Sequence, residues 1–180
     1  MKSRLAAFST AFGLFCLTFA AFLFWQRTTP SRLSFDLETS LESEKKVDAL
    51  GPKVLVIKDL DIRLPISLGE IGKERWGVLT KGVSYLSTSP IPGKIGNSIL
   101  YGHNWPNLLG NLVNIKPGQE VAVLFNDGSI EKFVIKTTQV VSPKQADILG
   151  PSDDRRITLY TCTGFLDRKR FVVVAQLQPK

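Results

Sequence analysis

The chain has 180 residues, of which 43% are hydrophobic, 22% charged and 9% aromatic. This composition suits one globular domain with an appendage and excludes the disordered, collagen-like and disulfide-scaffold classes. The net charge of +7 is spread along the chain, and no nucleic-acid-binding motif accompanies it. We therefore expect no nucleic-acid partner, only mild attraction to an anionic membrane or cell-wall polymer.

The N-terminal segment predicts a membrane anchor. Residues 5–25 carry no charge and are rich in Leu, Phe and Ala. At about 1.5 Å of rise per residue, a helix of this length spans a hydrocarbon core of roughly 30 Å. A cleaved signal peptide is the alternative, but its apolar region is only about 7–15 residues long. Basic residues stand on both sides of the segment, so charge counting leaves its orientation open.

Three parts follow from this pattern. Residues 1–25 form a short tip and the anchor, residues 26–50 form a tether rich in Ser, Thr and charged residues, and residues 51–180 form the folded domain. The domain contains short β-branched and aromatic runs separated by turn residues, and the Asp127-Gly128 pair predicts a tight hairpin. The expected extended runs are 54–57, 62–66, 76–79, 83–86, 97–101, 120–125, 129–141, 157–162 and 171–177.

Helical content in the domain is expected to be thin. Only residues 105–113 and 143–149 are candidate helices, the second with a proline at its start. Many short strands with few helices predict a mainly β fold, either a closed barrel or a sandwich.

One cysteine, one histidine and two arginines are the candidate catalytic residues. Cys162 is the only cysteine outside the apolar segment that holds Cys16, so we expect a thiol and no disulfide. His103 is the only histidine and follows the predicted strand 97–101. Arg168 and Arg170 precede the last strand and, by strand alternation, share one face.

These groups are the minimum set for acyl transfer by a cysteine. A neighbouring imidazolium or guanidinium lowers the pKa of a thiol, the imidazole can protonate a leaving amine, and an arginine can stabilise an oxyanion. Each residue also has a structural interpretation: a buried small thiol, a core imidazole and charged guards on a strand edge. Zinc usually takes three or four protein ligands, and one His with one Cys supply two, so we expect no metal or cofactor.

Three segments resemble the sortases, the membrane-anchored transpeptidases of bacterial surfaces. Thr158-Leu159-Tyr160-Thr161-Cys162 is similar to their Thr-Leu-x-Thr-Cys signature, and residues 96–103 resemble the strand that carries their catalytic histidine. Residues 170–175 resemble their arginine strand, and the spacing to the Val-Val-Val-Ala run matches at Arg170. The resemblance implies a closed eight-stranded β-barrel with one or two short helices, and it assigns catalysis to Cys162, His103 and Arg170.

The resemblance also implies a function. The enzyme would cleave a sorting peptide of the Leu-Pro-x-Thr-Gly type after Thr and pass the thioester to an amine on a cell-wall precursor or a protein. It would be a single-pass protein of the bacterial cell membrane, with residues 1–25 as cytoplasmic tip and anchor and the catalytic domain outside. The expected substrate-binding residues come from the cysteine strand and the loop before it: Thr161, Ala146, Ile148 and Leu149.

Two other functions remain open from the sequence. The protein could act mainly as a protease that hydrolyses its acyl-enzyme, or it could be an inactive barrel that binds partners at the membrane. The subclass is also open. The tether lacks the Asp-Pro-aromatic segment of pilin-building members, and the connection from Cys162 to Arg170 is too short to hold an extra helix.

Overall fold

The computed structural model describes residues 2–28, 51–69, 71–72, 75–76 and 81–179. Helix α1 (Lys2–Thr28) includes the apolar N-terminal segment. Within the described part of the chain, no helix combines the length and the apolar character that a membrane crossing requires. Most of the predicted tether, residues 29–50, lies outside the described residues.

In the described residues, ten strands follow α1. They are β1 (Pro52–Ile57), β2 (Ile62–Gly69), β3 (Ile71–Gly72), β4 (Arg75–Trp76), β5 (Val83–Leu86), β6 (Gly96–Tyr101), β7 (Glu120–Phe125), β8 (Ile130–Val141), β9 (Arg155–Thr163) and β10 (Lys169–Leu177). Eight of them close a barrel in the order β1-β2-β5-β6-β9-β10-β8-β7, while β3 and β4 pair separately. The pairings β2–β5 and β6–β9 are parallel, and the other barrel pairings are antiparallel. The predicted closed eight-stranded barrel is confirmed.

Alternation of apolar and polar residues builds the barrel core. In β7, Val121, Val123 and Phe125 are buried and their neighbours are half-buried, as period-two patterning predicts. These side chains join one continuous cluster inside the barrel that also contains residues of the other seven barrel strands. The predicted hairpin joins β7 to β8, and Gly128 has a φ of 83° there. That left-handed conformation costs little for glycine because it has no Cβ.

The strand directions bring several chain ends to one rim of the barrel. Tyr101, the last residue of β6, pairs with Tyr160 near the end of β9. Arg170, near the start of β10, pairs with both Cys162 and Val141, the last residue of β8. The rim therefore contains the ends of β6, β8 and β9 and the start of β10.

The connection from β8 to β9 runs the length of the barrel. Because β8 ends at this rim and β9 begins at the opposite one, residues 142–154 must return along the outside. Their side chains Ala146, Ile148 and Leu149 pack on an outer apolar cluster whose members lie on five strands. This cluster consists of Leu86, Ile99, Tyr101, Val141, Tyr160, Cys162 and Val172.

The prediction of longer helices over residues 105–113 and 143–149 is wrong. Only short 3₁₀ helices occur at these places, Gly110–Asn114 and Ala146–Leu149. Residues 105–111 contain a proline, two asparagines and a glycine, all poor helix formers, and the chain there makes turns such as Leu108 N to Trp105 O at 2.9 Å. Backbone oxygens also crowd Gly110, where a Cβ would lie 2.7 Å from Trp105 O.

A buried amide ties the outer connection to the barrel. Asn97 of β6 accepts a hydrogen bond from Thr158 Oγ1 at 2.7 Å. Its Nδ2 donates to Ile148 O at 3.3 Å and to Gly150 O at 3.1 Å. One side chain thus joins β6, β9 and residues 146–150.

Asn97→Ala should lower the free energy of unfolding by about 1–3 kcal/mol, because it leaves the fully buried Thr158 hydroxyl without its acceptor. Urea unfolding followed by tryptophan fluorescence measures the loss. Asn126→Ala, in the exposed β7–β8 turn, is the matched control and should change stability by less than about 0.5 kcal/mol. Equal effects of the two substitutions would contradict the role given to Asn97.

Candidate active site

Cys162 lies near the end of β9, in apolar surroundings. It is 3% exposed and belongs to the outer apolar cluster together with Tyr160, its neighbour on the same face. Neither Cys162 nor Cys16 is in a disulfide, so Cys162 carries a thiol as predicted. Ala146, Ile148 and Leu149 of the β8–β9 connection pack against this cluster from outside.

Arg170 is placed directly beside this thiol. It is the cross-strand partner of Cys162 in the antiparallel β9–β10 pair, so the two side chains stand on the same face of the sheet. Arg170 is 3% exposed, and its Nη1 donates to Asp167 O and Lys169 O, each at 3.1 Å. Arg168, which alternation alone could not distinguish from Arg170, precedes β10 and is exposed.

His103 and Cys162 lie at equivalent positions on two neighbouring segments of the chain. Each lies two residues beyond the Tyr101–Tyr160 pair, whose rings stack with centroids 5.5 Å apart. Past this pair, Gly102 N donates to Tyr160 O at 3.3 Å and Thr161 Oγ1 donates to Gly102 O at 2.8 Å. The two chain segments thus stay joined up to His103 and Cys162, and the structure brings both residues to the same rim.

The imidazole of His103 is buried, and burial favours its neutral form. It is 4% exposed and stacks on Trp105, with ring centroids 4.5 Å apart and ring planes 8° from parallel. Burial lowers the pKa of His103, and the nearby Asp167 carboxylate opposes this by raising it. Among the described residues, Nε2 of His103 has no hydrogen-bond partner. A buried neutral imidazole can accept a proton.

The tyrosine pair beneath the site also stays neutral. Burial raises the pKa of Tyr101 to about 12. The pKa of Tyr160 lies well above its usual value, chiefly because of burial; Tyr101 and Cys162 add to the rise, and the charge of Arg170 opposes it. Because Cys162 and Arg170 both change the pKa of Tyr160, the three side chains are close enough to interact electrostatically.

The expected substrate-binding residues divide into two groups. Ala146, Ile148 and Leu149 are half-buried and pack against the cluster that contains Cys162, and we call these three residues the apolar wall. Thr161 has no exposed surface, and its hydroxyl is bonded to Gly102 O. In this structure Thr161 joins β9 to the chain before His103, and its contact with substrate stays a prediction.

Sequence reasoning missed two polar residues of the site, Asp167 and Asn104. Asn104 Nδ2 donates to Asp167 Oδ1 at 2.8 Å, which connects the chain after His103 to the loop before Arg170. The signal in the sequence was weak: a single aspartate in a short connection between two strands. Only the contact between loops 63 residues apart shows its place.

A groove opens on the same rim. It has a volume of about 670 Å³ and lies between the β1–β2 turn and the chain that follows His103, with Asn104, Asn107 and Asn111 among its lining residues. In the described part of the chain, no group of three or more His, Cys, Asp or Glu side chains is arranged to hold a metal ion.

Comparisons with known proteins give one family. Residues 55–178 match the family model described as the Sortase domain. The chain is similar in structure to sortase C1 of Streptococcus agalactiae, with a TM-score of 0.64 and 22% identity over 81% of this chain and 80% of that chain. It is also similar to sortase A of Listeria monocytogenes, with a TM-score of 0.60 and 24% identity over 73% of this chain and 89% of that chain.

A third similar structure is the sortase D5 transpeptidase of Clostridium perfringens, with a TM-score of 0.62 and 23% identity over 72% of this chain and 79% of that chain. At these identities the structural likeness shows a common fold. No curated protein matches the sequence.

Proposed function

The chain belongs to the sortase family of cysteine transpeptidases, and from that premise we propose that it cleaves a sorting signal and transfers the acyl part to an amine. The observation that carries the proposal is the cross-strand pairing of Cys162 with Arg170, with His103 delivered to the same rim by the strand next to β9. Nucleophile, oxyanion donor and proton carrier then come from three adjacent strands of one rigid barrel.

In the first half-reaction, His103 takes the proton of the Cys162 thiol, and the thiolate attacks the threonine carbonyl of a Leu-Pro-x-Thr-Gly-type peptide. Negative charge develops on that carbonyl oxygen, and the guanidinium of Arg170 stabilises it by donating hydrogen bonds. The imidazolium of His103 then protonates the leaving glycine amine as the C–N bond breaks. The product is a thioester on Cys162 and a released peptide with a free amine.

In the second half-reaction, an acceptor amine attacks the thioester. His103, neutral again, takes the proton that the amine loses, and the sulfur leaves as a thiolate that the imidazolium reprotonates. A new amide bond joins the sorting peptide to the acceptor, which we propose to be a cell-wall precursor or a protein.

The leucine and proline of a sorting signal are apolar, and the apolar wall packs on the cluster that contains Cys162. Ile148 and Leu149 in this wall are half-buried and retain exposed surface. A peptide lying against them would bury that surface and bring its threonine carbonyl to Cys162. This supports the assignment of Ala146, Ile148 and Leu149 to substrate binding.

The decisive experiment incubates the protein with a Leu-Pro-x-Thr-Gly-type peptide library, with and without a primary amine such as triglycine. We expect an acyl-enzyme mass on Cys162 and an amide product that forms only with the amine. Cys162→Ala should abolish both, whereas Cys16→Ala, the matched control in α1, should keep full turnover. Equal turnover with and without the amine, with no amide product, would indicate hydrolysis. Turnover by Cys162→Ala would refute the nucleophile assignment.

Substitution of each arginine separates the two candidates for the oxyanion donor. Arg170→Ala should lower kcat/KM by about 10²–10³-fold, the usual loss when one oxyanion donor is removed. Arg168→Ala should change kcat/KM by less than about threefold, because the side chain is exposed and outside β10. Equal losses would show that the carbonyl oxygen is not bound at Arg170.

We also propose that the protein is held in the bacterial cell membrane by residues 5–25, with the barrel outside. The support is the uncharged sequence of this segment and its exposed apolar side chains, of which Leu14 and Leu17 are 66% and 69% exposed. An apolar helix surface of this kind is stable when lipid covers it.

The full chain should therefore stay with the membrane fraction after an alkaline carbonate wash. Arg at the centre of such a segment costs about 2.5–3.5 kcal/mol per residue, so a Leu14→Arg, Leu17→Arg double variant should move to the supernatant. Ile130→Arg, an exposed apolar position on the barrel, is the matched control and should not move.

Protease added to intact cells should digest the barrel; protection of the barrel would contradict its location outside.

A further inference from the structure

Asp167 contacts both sides of the proposed site. It lies in the connection between β9 and β10, and its backbone oxygen accepts a hydrogen bond from Arg170 Nη1 at 3.1 Å. Its carboxylate Oδ1 accepts one from Asn104 Nδ2 at 2.8 Å. Because Asn104 directly follows His103, one residue links the arginine strand to the histidine segment.

The backbone of this connection is unusual. Leu166 and Asp167 have φ values of 53° and 58°, in the left-handed region that few residues other than glycine adopt. Aspartate and asparagine tolerate this region better than other side chains do, and glycine adopts it without strain. The Asp167 carbonyl is turned toward Arg170 in this conformation, so substitutions that preserve it can test the side chain alone.

The carboxylate also influences the imidazole electrostatically. Cys162 on β9 and Arg170 on β10 lie at the rim that His103 reaches, and the Asp167 carboxylate in the connection between these strands acts on the pKa of His103. Burial disfavours the imidazolium, and the Asp167 carboxylate favours it. The imidazolium is the form that proton transfer from the thiol creates, and it forms in a buried place where charges interact strongly.

We propose that Asp167 is a positioning residue of this site: its backbone carbonyl orients the Arg170 guanidinium, and its carboxylate, held by Asn104, stabilises the imidazolium of His103. The catalytic part of this inference rests on the proposed function. The electrostatic part rests on the Asn104–Asp167 hydrogen bond, which holds the carboxylate beside the residue that follows His103, and on the effect of that carboxylate on the imidazole. Removing the carboxylate should therefore slow the chemical step and leave peptide binding unchanged.

The central test is Asp167→Asn, which removes the charge, tolerates the left-handed backbone and keeps an oxygen for Asn104. Because the chain has one histidine, the Hε1 proton of His103 gives a single resonance whose NMR titration reports its pKa. Loss of the carboxylate should lower the pKa of His103 relative to the unsubstituted protein. Asp59→Asn, an exposed aspartate in the β1–β2 turn outside the site, is the charge-matched control and should leave the pKa unchanged.

Turnover gives the second readout. Asp167→Asn should lower kcat about three- to tenfold with little change in the peptide KM, and Asp59→Asn should change neither. Asp167→Gly relaxes the backbone and removes the side chain, so it should lose at least as much kcat as Asp167→Asn. Asn104→Ala, which keeps the charge and frees the carboxylate, should give a smaller loss and serves if a loop variant does not fold.

An unchanged pKa of His103 in Asp167→Asn, or an equal fall in Asp59→Asn, would overturn the inference. So would full turnover by Asp167→Gly. The titration needs no substrate, and therefore it tests the Asp167–His103 interaction even if Cys162→Ala shows that the proposed reaction is wrong.

Discussion

The parallel pairing of β6 with β9 determines where the reactive groups meet. In this register Tyr101 lies opposite Tyr160, and the next two residues of each segment place His103 and Cys162 at one rim. A slip of one residue would turn Cys162 to the other face of the sheet. Two side-chain hydrogen bonds bracket the pairing, from Thr158 to Asn97 below the tyrosines and from Thr161 to Gly102 above them. Thr158 and Thr161 therefore hold the register that brings His103 and Cys162 to one rim.

Burial of the site has opposite consequences for its members. It lowers the pKa of His103, which favours the neutral imidazole, and it would strengthen the charge interactions of the imidazolium that the proposed mechanism forms. It would also be costly for a guanidinium without hydrogen-bond acceptors. Backbone carbonyls of Asp167 and Lys169 offset that cost for Arg170, and they fix the direction in which its remaining N–H groups point. The chain at the β9–β10 connection thus replaces water as hydrogen-bond acceptor for the Arg170 guanidinium and also orients it.

Sequence reasoning found what local patterns encode. Alternating runs predicted the barrel strands, Asp127-Gly128 predicted the β7–β8 hairpin, and the strand segments around Cys162 and His103 indicated the family. The predictions from sequence were wrong or incomplete where contacts between distant residues determine the local structure. The helix expected at 105–113 became turns because Gly110 packs against backbone oxygens, and Asp167 was missed because its partner Asn104 is distant in sequence. The position of Arg170 opposite Cys162 needed the observed register, since alternation alone treats Arg168 and Arg170 alike.

In the proposed function, the residues that react and the residues that bind the peptide belong to different parts of the fold. His103, Cys162 and Arg170 stand on or beside three adjacent strands whose pairings are fixed on both sides. The apolar wall belongs instead to the β8–β9 connection, residues 142–154, which lies outside the barrel strands. Asn97 couples the two, because it bonds the wall at Ile148 and Gly150 and lies in the strand that leads to His103. In the proposed function, substitutions in residues 142–154 would therefore change the peptide preference and leave Cys162, His103 and Arg170 in place, provided that Asn97 keeps its hydrogen bonds to Ile148 O and Gly150 O.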